Sequence, residues 1–225
     1  MIKDKWVLLF PILLILTVSC VRMNKEYWPD GTIKAELRYK NGKLNGVSTW
    51  YHENGKKQYE AVYKDDILEG KAIRWYNTGF LQSEAMYLNN MLNGPYYEYG
   101  MNGFRILEEN YRNDTLHGLY HEWYNNRQMQ ISGEYRNGKF HGRWLYWDTY
   151  GNIVGEGNYE EGTGVQKGWN SAGNLIRKTE YVNNLKHGKE VFYDDSGNIV
   201  RIDEYENGLN LAFPIDSIPE NPPGN

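Results

Sequence analysis

The chain has 225 residues, with 25 Lys and Arg against 29 Asp and Glu, and its formal net charge is −4. That balance gives no electrostatic footprint for nucleic acid and no attraction to an anionic membrane surface. Mean hydropathy is −0.77, yet 15% of the residues are aromatic, including 20 Tyr and 8 Trp. Low hydropathy with so many rings excludes an ordinary disordered composition and predicts a polar, sheet-rich fold.

The first 19 residues have the layout of a secretion signal. Lys3 and Lys5 precede an apolar run from Trp6 to Leu16, and small residues follow that run. The run is shorter than the ~20 apolar residues with which a helix spans a bilayer. We therefore predict a signal peptide over residues 1–19.

Cys20 directly follows Ser19 and is the only cysteine, which excludes an intrachain disulfide. This junction resembles a bacterial lipobox, although Thr17 stands where that motif usually has Leu. The resemblance implies that Cys20 is acylated and holds the protein on a bacterial envelope membrane, either the outer membrane or a periplasm-facing surface. A plain cleaved signal and an uncleaved anchor are the alternatives. Residues 20–26 are then expected to be a linker between the lipid and the folded body.

From residue 27 to 208 the sequence repeats. A tyrosine recurs every 24 residues, and a glycine follows seven residues after most of these tyrosines. The tyrosines are Tyr39, Tyr63, Tyr87, Tyr111, Tyr135 and Tyr159, and the glycines are Gly46, Gly70, Gly94, Gly118 and Gly142. A fixed period of this length predicts stacked structural repeats, here seven or eight of them.

Each unit predicts two strands and two turns. In the first, residues 32–39 alternate polar and apolar side chains, which is the pattern of a strand. Asn41-Gly42 supplies a tight turn, residues 47–51 form the second strand, and a turn at Gly55 closes the unit. Strands joined by such short turns are antiparallel. We predict an all-β fold, an elongated single-layer twisted antiparallel sheet of about fifteen strands.

Three local irregularities carry further predictions. Arg127 stands where the other units have a turn glycine, and we expect its neighbour Asn126 to take the left-handed conformation there. The sixth unit has lost two residues before Gly164, and we place that loss in the turn, since an even deletion keeps every side chain on its face. Residues 209–225 contain four of the seven prolines and are expected to form a C-terminal cap followed by a disordered tail.

The repeated segments resemble a known family. Tyr-Lys-Asn-Gly-Lys-Leu-Asn-Gly at 39–46 and Tyr-Arg-Asn-Gly-Lys-Phe-His-Gly at 135–142 are similar to MORN repeats of the bacterial variant type. The resemblance covers residues 27–208 and implies an elongated, twisted antiparallel sheet. Bacterial members are often labelled antitoxins of toxin–antitoxin systems, whereas other MORN proteins are scaffolds or are proposed to bind lipid.

Two columns of side chains are candidate binding surfaces. Glutamates recur along one strand position, and they are either an acidic ladder for a basic partner or the solvated side of a sheet. Tyr and Trp recur on the second strand, and they either stabilise the sheet by cross-strand pairing or present a surface for protein or glycan contact. The candidates are Glu36, Glu60, Glu84, Glu108 and Glu156, and Tyr51, Trp75, Tyr99, Trp123 and Trp147.

Nothing in the sequence predicts catalysis, a cofactor or a metal. We identify no nucleophile elbow, phosphate loop or carboxylate pair beside a base. Three of the five histidines, His117, His141 and His187, precede the second glycine of a unit and are interpreted as polar turn residues, not metal ligands. We therefore expect a non-catalytic interaction or scaffold protein of the bacterial envelope with a protein partner. An antitoxin-like or immunity-like neutralising protein, and a binder of envelope lipid or glycan, are the alternatives.

Overall fold

The computed structural model describes residues 20–212, so the predicted signal peptide and the proline-rich tail after residue 212 lie outside the described residues. Within residues 20–212 all regular structure is β, and the strands form one antiparallel sheet. This part of the chain contains no helix long and apolar enough to cross a membrane.

Nineteen strand segments are numbered in chain order. They are β1 Val21–Tyr27, β2 Ile33–Lys40, β3 Lys43–Leu44, β4 Gly46–Tyr51, β5 Lys57–Lys64, β6 Ile67–Trp75, β7 Leu81–Leu88, β8 Met91–Tyr99, β9 Arg105–Arg112, β10 Thr115–Leu116, β11 Gly118–Trp123, β12 Met129–Arg136, β13 Lys139–Trp147, β14 Ile153–Glu160, β15 Thr163–Trp169, β16 Leu175–Val182, β17 Leu185–Tyr193, β18 Ile199–Glu206 and β19 Leu209–Asn210.

Each strand pairs with its neighbours in sequence, so the sheet is a continuous series of hairpins. One residue separates β3 from β4 and one separates β10 from β11, and each of these pairs therefore counts as a single interrupted strand. The predicted all-β antiparallel architecture is confirmed. The sheet exceeds the expected fifteen strands because β1 and β19 extend it at its two ends.

The prediction of a linker at residues 20–26 is wrong. Residues 21–27 form β1, which pairs with β2 along its whole length. Lys25 lies opposite Glu36, and the two side chains form an ion pair at 2.8 Å. The segment lacks the second glycine of the other units, and only Tyr27, 24 residues before Tyr51, follows the repeat. The open edge of β2 accepts it because unpaired backbone groups favour a further strand.

Eight tight turns join the strands within the units, and all have the same geometry. Both central residues of each turn have positive φ, as at Asn41 (52°) and Gly42 (79°). This is the signature of the type I′ turn, whose twist matches that of the flanking strands. The other seven turns are Asp65-Asp66, Asn89-Asn90, Asn113-Asp114, Asn137-Gly138, Glu161-Gly162, Asn183-Asn184 and Asn207-Gly208.

The second glycine of a unit forms a bulge. In β5 and β6, Ala61 pairs with Ala72 and Tyr63 pairs with Leu68, so β6 contains two extra residues beside Gly70. Gly70 has a φ of 116°, which favours glycine strongly. The same two-residue excess and a positive-φ glycine occur in six of the hairpins, at Gly46, Gly70, Gly94, Gly118, Gly142 and Gly188.

The shortened sixth unit has lost this bulge and has kept its turn, which corrects our placement of the deletion. Glu161-Gly162 is an ordinary type I′ turn. Strands β14 and β15 then pair without a register shift from Gly155↔Gly168 to Glu160↔Thr163. Gly164 has no positive φ. Because two residues were removed together, the side chains of β15 keep their original faces.

The turn that lacks a glycine also differs in conformation from our prediction. Arg127 itself adopts the left-handed conformation, with a φ of 70°, whereas Asn126 does not. Its guanidinium lies over the ring of Phe104, 3.4 Å from the ring centroid, and the Asn126 side chain donates to the carbonyl of Thr149 at 2.9 Å. The strained backbone is therefore accompanied by contacts to both neighbouring units.

The two faces of the sheet differ. One face, which we call the packed face, presents Ala35, Ala61 and Ala85, each at most 6% exposed. Large rings cover these small residues, and the Tyr column beginning at Tyr39 lies on this face. The opposite face, which we call the ion-pair face, presents the glutamate column beginning at Glu36. The core of this single-layer protein is thus confined to one side of the sheet.

Candidate functional site

All five predicted glutamates lie on the ion-pair face, and each forms an ion pair. Lys25 contacts Glu36 at 2.8 Å, and Arg143 contacts Glu156 at 2.9 Å. The side chains of the five glutamates are only 18 to 30% exposed. The other three pairs are Lys57–Glu60, Lys71–Glu84 and Arg105–Glu108. These contacts balance the charge of the column within the face itself.

The predicted aromatic column joins the same network. The hydroxyl of Tyr51 donates to Glu36 at 2.9 Å, and the hydroxyl of Tyr99 donates to Glu84 at 3.3 Å. Lys57 lies over the ring of Trp75, 5.3 Å from its centroid. Hydrogen bonds from Lys25 and from Tyr51 lower the pKa of Glu36. This is the pattern of a carboxylate that is stabilised in place.

Trp123 and Trp147 follow the same repeat position as Tyr51. The Trp123 ring lies 5.7 Å from the imidazole of His121, and the carbonyl of Trp147 accepts a hydrogen bond from Tyr124 at 2.8 Å. The structure therefore brings the ten predicted binding residues together on one face. Whether that face binds a partner stays a prediction.

A second set of carboxylates, which sequence reasoning missed, lies on the packed face. In each case a tyrosine two residues away on the same strand donates its hydroxyl to the carboxylate. The three contacts are Tyr96 to Glu98 at 2.6 Å, Tyr111 to Glu109 at 2.7 Å and Tyr120 to Glu122 at 2.9 Å. They occupy the successive strands β8, β9 and β11. We call these six residues the Tyr–Glu site.

The strand register brings the members of the Tyr–Glu site together. Glu98 and Glu122 lie opposite the same residue, Leu107, from its two sides. Glu109 lies opposite Tyr96. A cavity of about 250 Å³ opens beside Glu98, and a second of about 320 Å³ is lined by both Glu98 and Glu122. Glu98 and Glu122 thus line a shallow groove in the middle of the packed face, and Glu109 lies beside this groove without lining either cavity.

The Tyr–Glu site has no cationic partner of its own. Among residues 20–212, no Lys, Arg or His forms an ion pair with Glu98, Glu109 or Glu122. Arg74 lines the cavity beside Glu98, but its guanidinium stacks on Tyr59, 4.5 Å from the ring centroid. Glu98 and Glu122 in the groove and Glu109 beside it therefore lack an ion-pair partner among the described residues.

This arrangement changes the protonation behaviour of the site. Burial raises the pKa of Glu109, and the nearby charges of Glu98 and Glu122 raise it further, against the opposing hydrogen bond from Tyr111. Burial also raises the pKa values of Tyr96 and Tyr120, and the hydrogen-bonded glutamates add to that effect. Ionisation of Glu109 therefore costs more free energy than that of an exposed glutamate, and a nearby cation would lower that cost.

Glu190 shows how the same face treats a carboxylate that serves stability. Its side chain is 3% exposed and contacts Lys186 at 2.7 Å. The hydroxyl of Thr179 donates to it at 3.0 Å. Burial alone would raise the pKa of Glu190, but Lys186 and Thr179 bring it below its ordinary value. The contrast with Glu109 shows that this fold can compensate a buried carboxylate, and that the Tyr–Glu site lacks that compensation.

Two of the histidines lie next to turns, and the cysteine lies at the start of β1. His117 and His187 each accept a backbone hydrogen bond from the turn of the following unit, at 3.3 and 3.4 Å. The part of the chain that the structure describes holds no group of three or more His, Cys, Asp or Glu placed to bind a metal ion. Cys20 is exposed at the corner of the sheet, and its carbonyl accepts from Asn41 at 3.4 Å. Its lipidation stays a prediction.

The sequence did contain a signal for the Tyr–Glu site. Glu109 stands at the repeat position of Ala61 and Ala85. Tyr96 and Tyr120 stand at that of Ser48 and Ala72, and Glu98 and Glu122 at that of Trp50 and Arg74. The columns predicted from the sequence consist of residues that the units share. Except for Tyr111, the site consists of residues that the third and fourth units have in place of those of the first two units.

Comparison with known families supports the repeat architecture. The MORN repeat variant model matches residues 24–41, 44–65 and 186–207. These matches lie at the two ends of the sheet, and the first includes most of β1. No curated protein matches the chain significantly. MORN-type repeats together with an open antiparallel sheet of hairpins indicate a repeat-based binding or scaffold module.

Proposed function

We propose that this protein is a non-catalytic interaction module of a bacterial envelope, anchored through acylated Cys20, that binds a basic segment of a partner protein at the Tyr–Glu site. The observation that carries the proposal is the pairing difference between the two faces. Each predicted glutamate of the ion-pair face has a Lys or Arg partner, whereas Glu98, Glu109 and Glu122 have none among the described residues.

The chemistry of the groove favours Lys or Arg side chains. Half-buried carboxylates without a counter-charge raise the free energy of the free protein, and a cation from a partner would remove that cost. The rings of Tyr96 and Tyr120 flank the carboxylates, and aromatic faces attract ammonium and guanidinium groups. Tyr is also a residue type that anchors protein interfaces.

The anchoring part of the proposal rests on the lipobox-like junction and on the position of Cys20. β1 begins at Val21, so no spacer separates an acylated Cys20 from the sheet. The anchored protein would therefore hold its first strand next to the bilayer. Labelling of cells with an alkyne-tagged fatty acid tests this directly. The wild-type chain should become labelled and a Cys20→Ser variant should not, whereas equal labelling of the two would contradict lipidation at this residue.

The binding claim is tested with a decalysine peptide as the probe. The full chain in detergent should bind it at low salt, and Glu98→Gln and Glu122→Gln should each weaken binding by roughly fivefold, the equivalent of one partly exposed charge pair. Glu156→Gln on the ion-pair face is the matched control and should leave the affinity unchanged. Equal effects of the three substitutions would show only a general electrostatic attraction and would contradict the site.

A neutralising protein of the antitoxin or immunity type is one form of this function, in which the basic partner is a toxin. In that case the segment bound at the groove would belong to the toxin's active surface. The test is protection of cells that produce a candidate toxin. Protection should be lost in Glu98→Gln and retained in Glu156→Gln. Protection by the Glu98→Gln variant would rule out this form.

A second candidate, an envelope lipid or glycan binder, is favoured by one edge of the sheet. At or next to the turns that close the second, third and fifth units, Phe80 (53%), Met101 (72%) and Tyr150 (89%) are exposed along that edge. Exposed rings at turn tips suit insertion among headgroups or stacking on sugars. Zwitterionic liposomes and purified cell-wall glycan are the probes. A Met101→Ser/Tyr150→Ser variant should lose co-sedimentation with one of them, and no co-sedimentation of the wild type would exclude this candidate.

A further inference from the structure

Each end of the sheet lacks a full neighbouring strand, and the type of strand that one end lacks is the type that the other end presents. In every interior unit the strand that carries the repeated Tyr, such as β5, pairs on both sides with strands of the second type, such as β4 and β6. At one end, β1 is a second-type strand, and only β2 pairs with it. At the other end, β18 carries Tyr205 and has only the two-residue β19 on its outer side.

β19 covers only the part of the missing strand that lies next to the turn. Its pairing of Asn210 with Tyr205 repeats that of Leu44 with Tyr39, and the N–H of Leu211 donates to Glu204 as that of Asn45 donates to Arg38. The other half of the outer side, beside Arg201 to Asp203, has no paired strand within the described chain.

The sequence after β19 is poorly suited to complete the strand. Residue 214 is proline, which has no N–H to donate to a neighbouring strand. A strand from outside the chain is therefore the better candidate for this place.

We propose that β1 of a second copy pairs with β18, so that copies join head to tail into one continuous sheet. The repeat itself fixes the register. Tyr59, Glu60 and Ala61 pair with Arg74, Ile73 and Ala72 in the interior. The equivalent residues place Glu26 of the incoming strand opposite Arg201, and Lys25 opposite Ile202.

Charge and exposure fit this junction. Glu26 and Arg201 are opposite charges on the same face, and both are exposed. β1 carries Arg22 and Lys25 against one glutamate, whereas β18 carries three acidic residues against Arg201. The apolar residues Ile199 and Ile202 of β18 are 58 and 47% exposed, and Tyr27 of β1 is 57% exposed. Opposite charges and apolar contacts across a strand pair both stabilise it.

The junction is heterologous, so it adds copies without closing a ring. β19 and the Cys20 end of an incoming β1 occupy equivalent positions in the sheet, and β19 therefore leaves its place when the copies join. Three paired residues make a weak contact between free molecules. Confinement of anchored copies to one membrane surface would raise their effective concentration and favour the contact.

Sedimentation velocity of the full chain in excess detergent tests the proposal. The wild type should associate reversibly with rising concentration. Glu26→Arg and Arg201→Glu each place like charges across the junction and should weaken association about tenfold, and the double variant should recover it. Removal of residues 209–225 should strengthen association because it frees the outer side of β18. Circular dichroism confirms that each variant keeps the sheet.

The contrary results are equally specific. A wild type that stays monomeric at all concentrations would overturn the proposal. Association that ignores both charge reversals would place the contact elsewhere, for example in a shared micelle, and would also overturn it. Loss of association on removal of residues 209–225 would show that this segment makes the contact, and the proposed β1–β18 junction would then be wrong.

Discussion

The indole of Trp144 lies against Gly133 of the adjacent strand and donates its Nε1–H to the carbonyl of Glu134 at 3.1 Å. A Cβ on Gly133 would overlap the six-membered ring of the indole. Trp144 is 2% exposed and contacts the rings of Tyr135 and Phe140, with centroids 5.0 and 4.7 Å away. In a sheet of one layer, a large ring over a glycine takes the place of an ordinary core.

The first prediction concerns this packing. Gly133→Ala should lower the melting temperature by about 4 to 8 °C, because overpacking a close contact costs about 2 kcal/mol. Gly168→Ala is the matched control, since its Cβ would meet its nearest neighbour at 3.7 Å and its φ is not positive. Thermal melting by circular dichroism is the measurement. Equal melting temperatures for the two variants would contradict the assigned role of Trp144.

The second prediction isolates the bulge. Gly142 has a φ of 66°, and nothing lies within 4 Å of a Cβ built there. Gly142→Ala should therefore cost about 1 to 2 kcal/mol through the left-handed conformation alone. A variant that deletes residues 141–142 should keep the sheet, as the sixth unit does naturally. Urea unfolding of the two variants checks this, and complete loss of structure in the deletion variant would count against an optional bulge.

The third prediction separates function from stability at Glu109. Because its pKa is raised in the folded protein, the folded state loses stability as pH rises from around 4.3 through that raised value. Glu109→Gln should remove this loss and raise the melting temperature at pH 7 by about 1 to 3 °C, while weakening decalysine binding. A purely structural glutamate would behave oppositely, with a lower melting temperature and unchanged binding.

The fourth prediction concerns Glu190, the buried carboxylate that pairs with Lys186. The pKa of Glu190 is lowered in the folded protein, so it contributes stability above around pH 4.3 that is lost as pH falls through the folded value. Lys186→Met should cost about 1 to 2 kcal/mol at pH 7, since the lysine is partly exposed, and should flatten the acid side of the stability curve. Lys186→Met/Glu190→Gln should recover part of the loss. An unchanged acid profile in Lys186→Met would contradict the pairing.

The architecture was predictable because the period of the chain is strict. Tyr-to-Tyr spacing and the Asn-Gly turns determine the strands and their antiparallel order, and the even deletion in the sixth unit determines the facing of β15. The bulge was not predictable in this way. A glycine in the sequence does not show whether it serves a turn or a positive-φ insertion, and Gly164 resembles Gly142 in sequence while differing from it in conformation.

The candidate site was harder to predict than the fold. The repeated glutamates are conspicuous in the sequence, but Lys25 and Lys71, which pair with Glu36 and Glu84, lie on other strands and become neighbours only through the register. Glu109 interrupts the repeat and is not conspicuous. Its uncompensated position depends on Glu98 and Glu122, which the sheet brings near from both sides.

The most direct test of a cation-binding groove is an NMR titration of the Glu109 carboxyl in the full chain, with and without decalysine. The pKa should lie above its ordinary value in the free protein and should fall when the peptide binds, while the pKa of Glu156, already lowered by Arg143, should stay the same. An ordinary pKa for free Glu109, or one that the peptide leaves unchanged, would contradict the account.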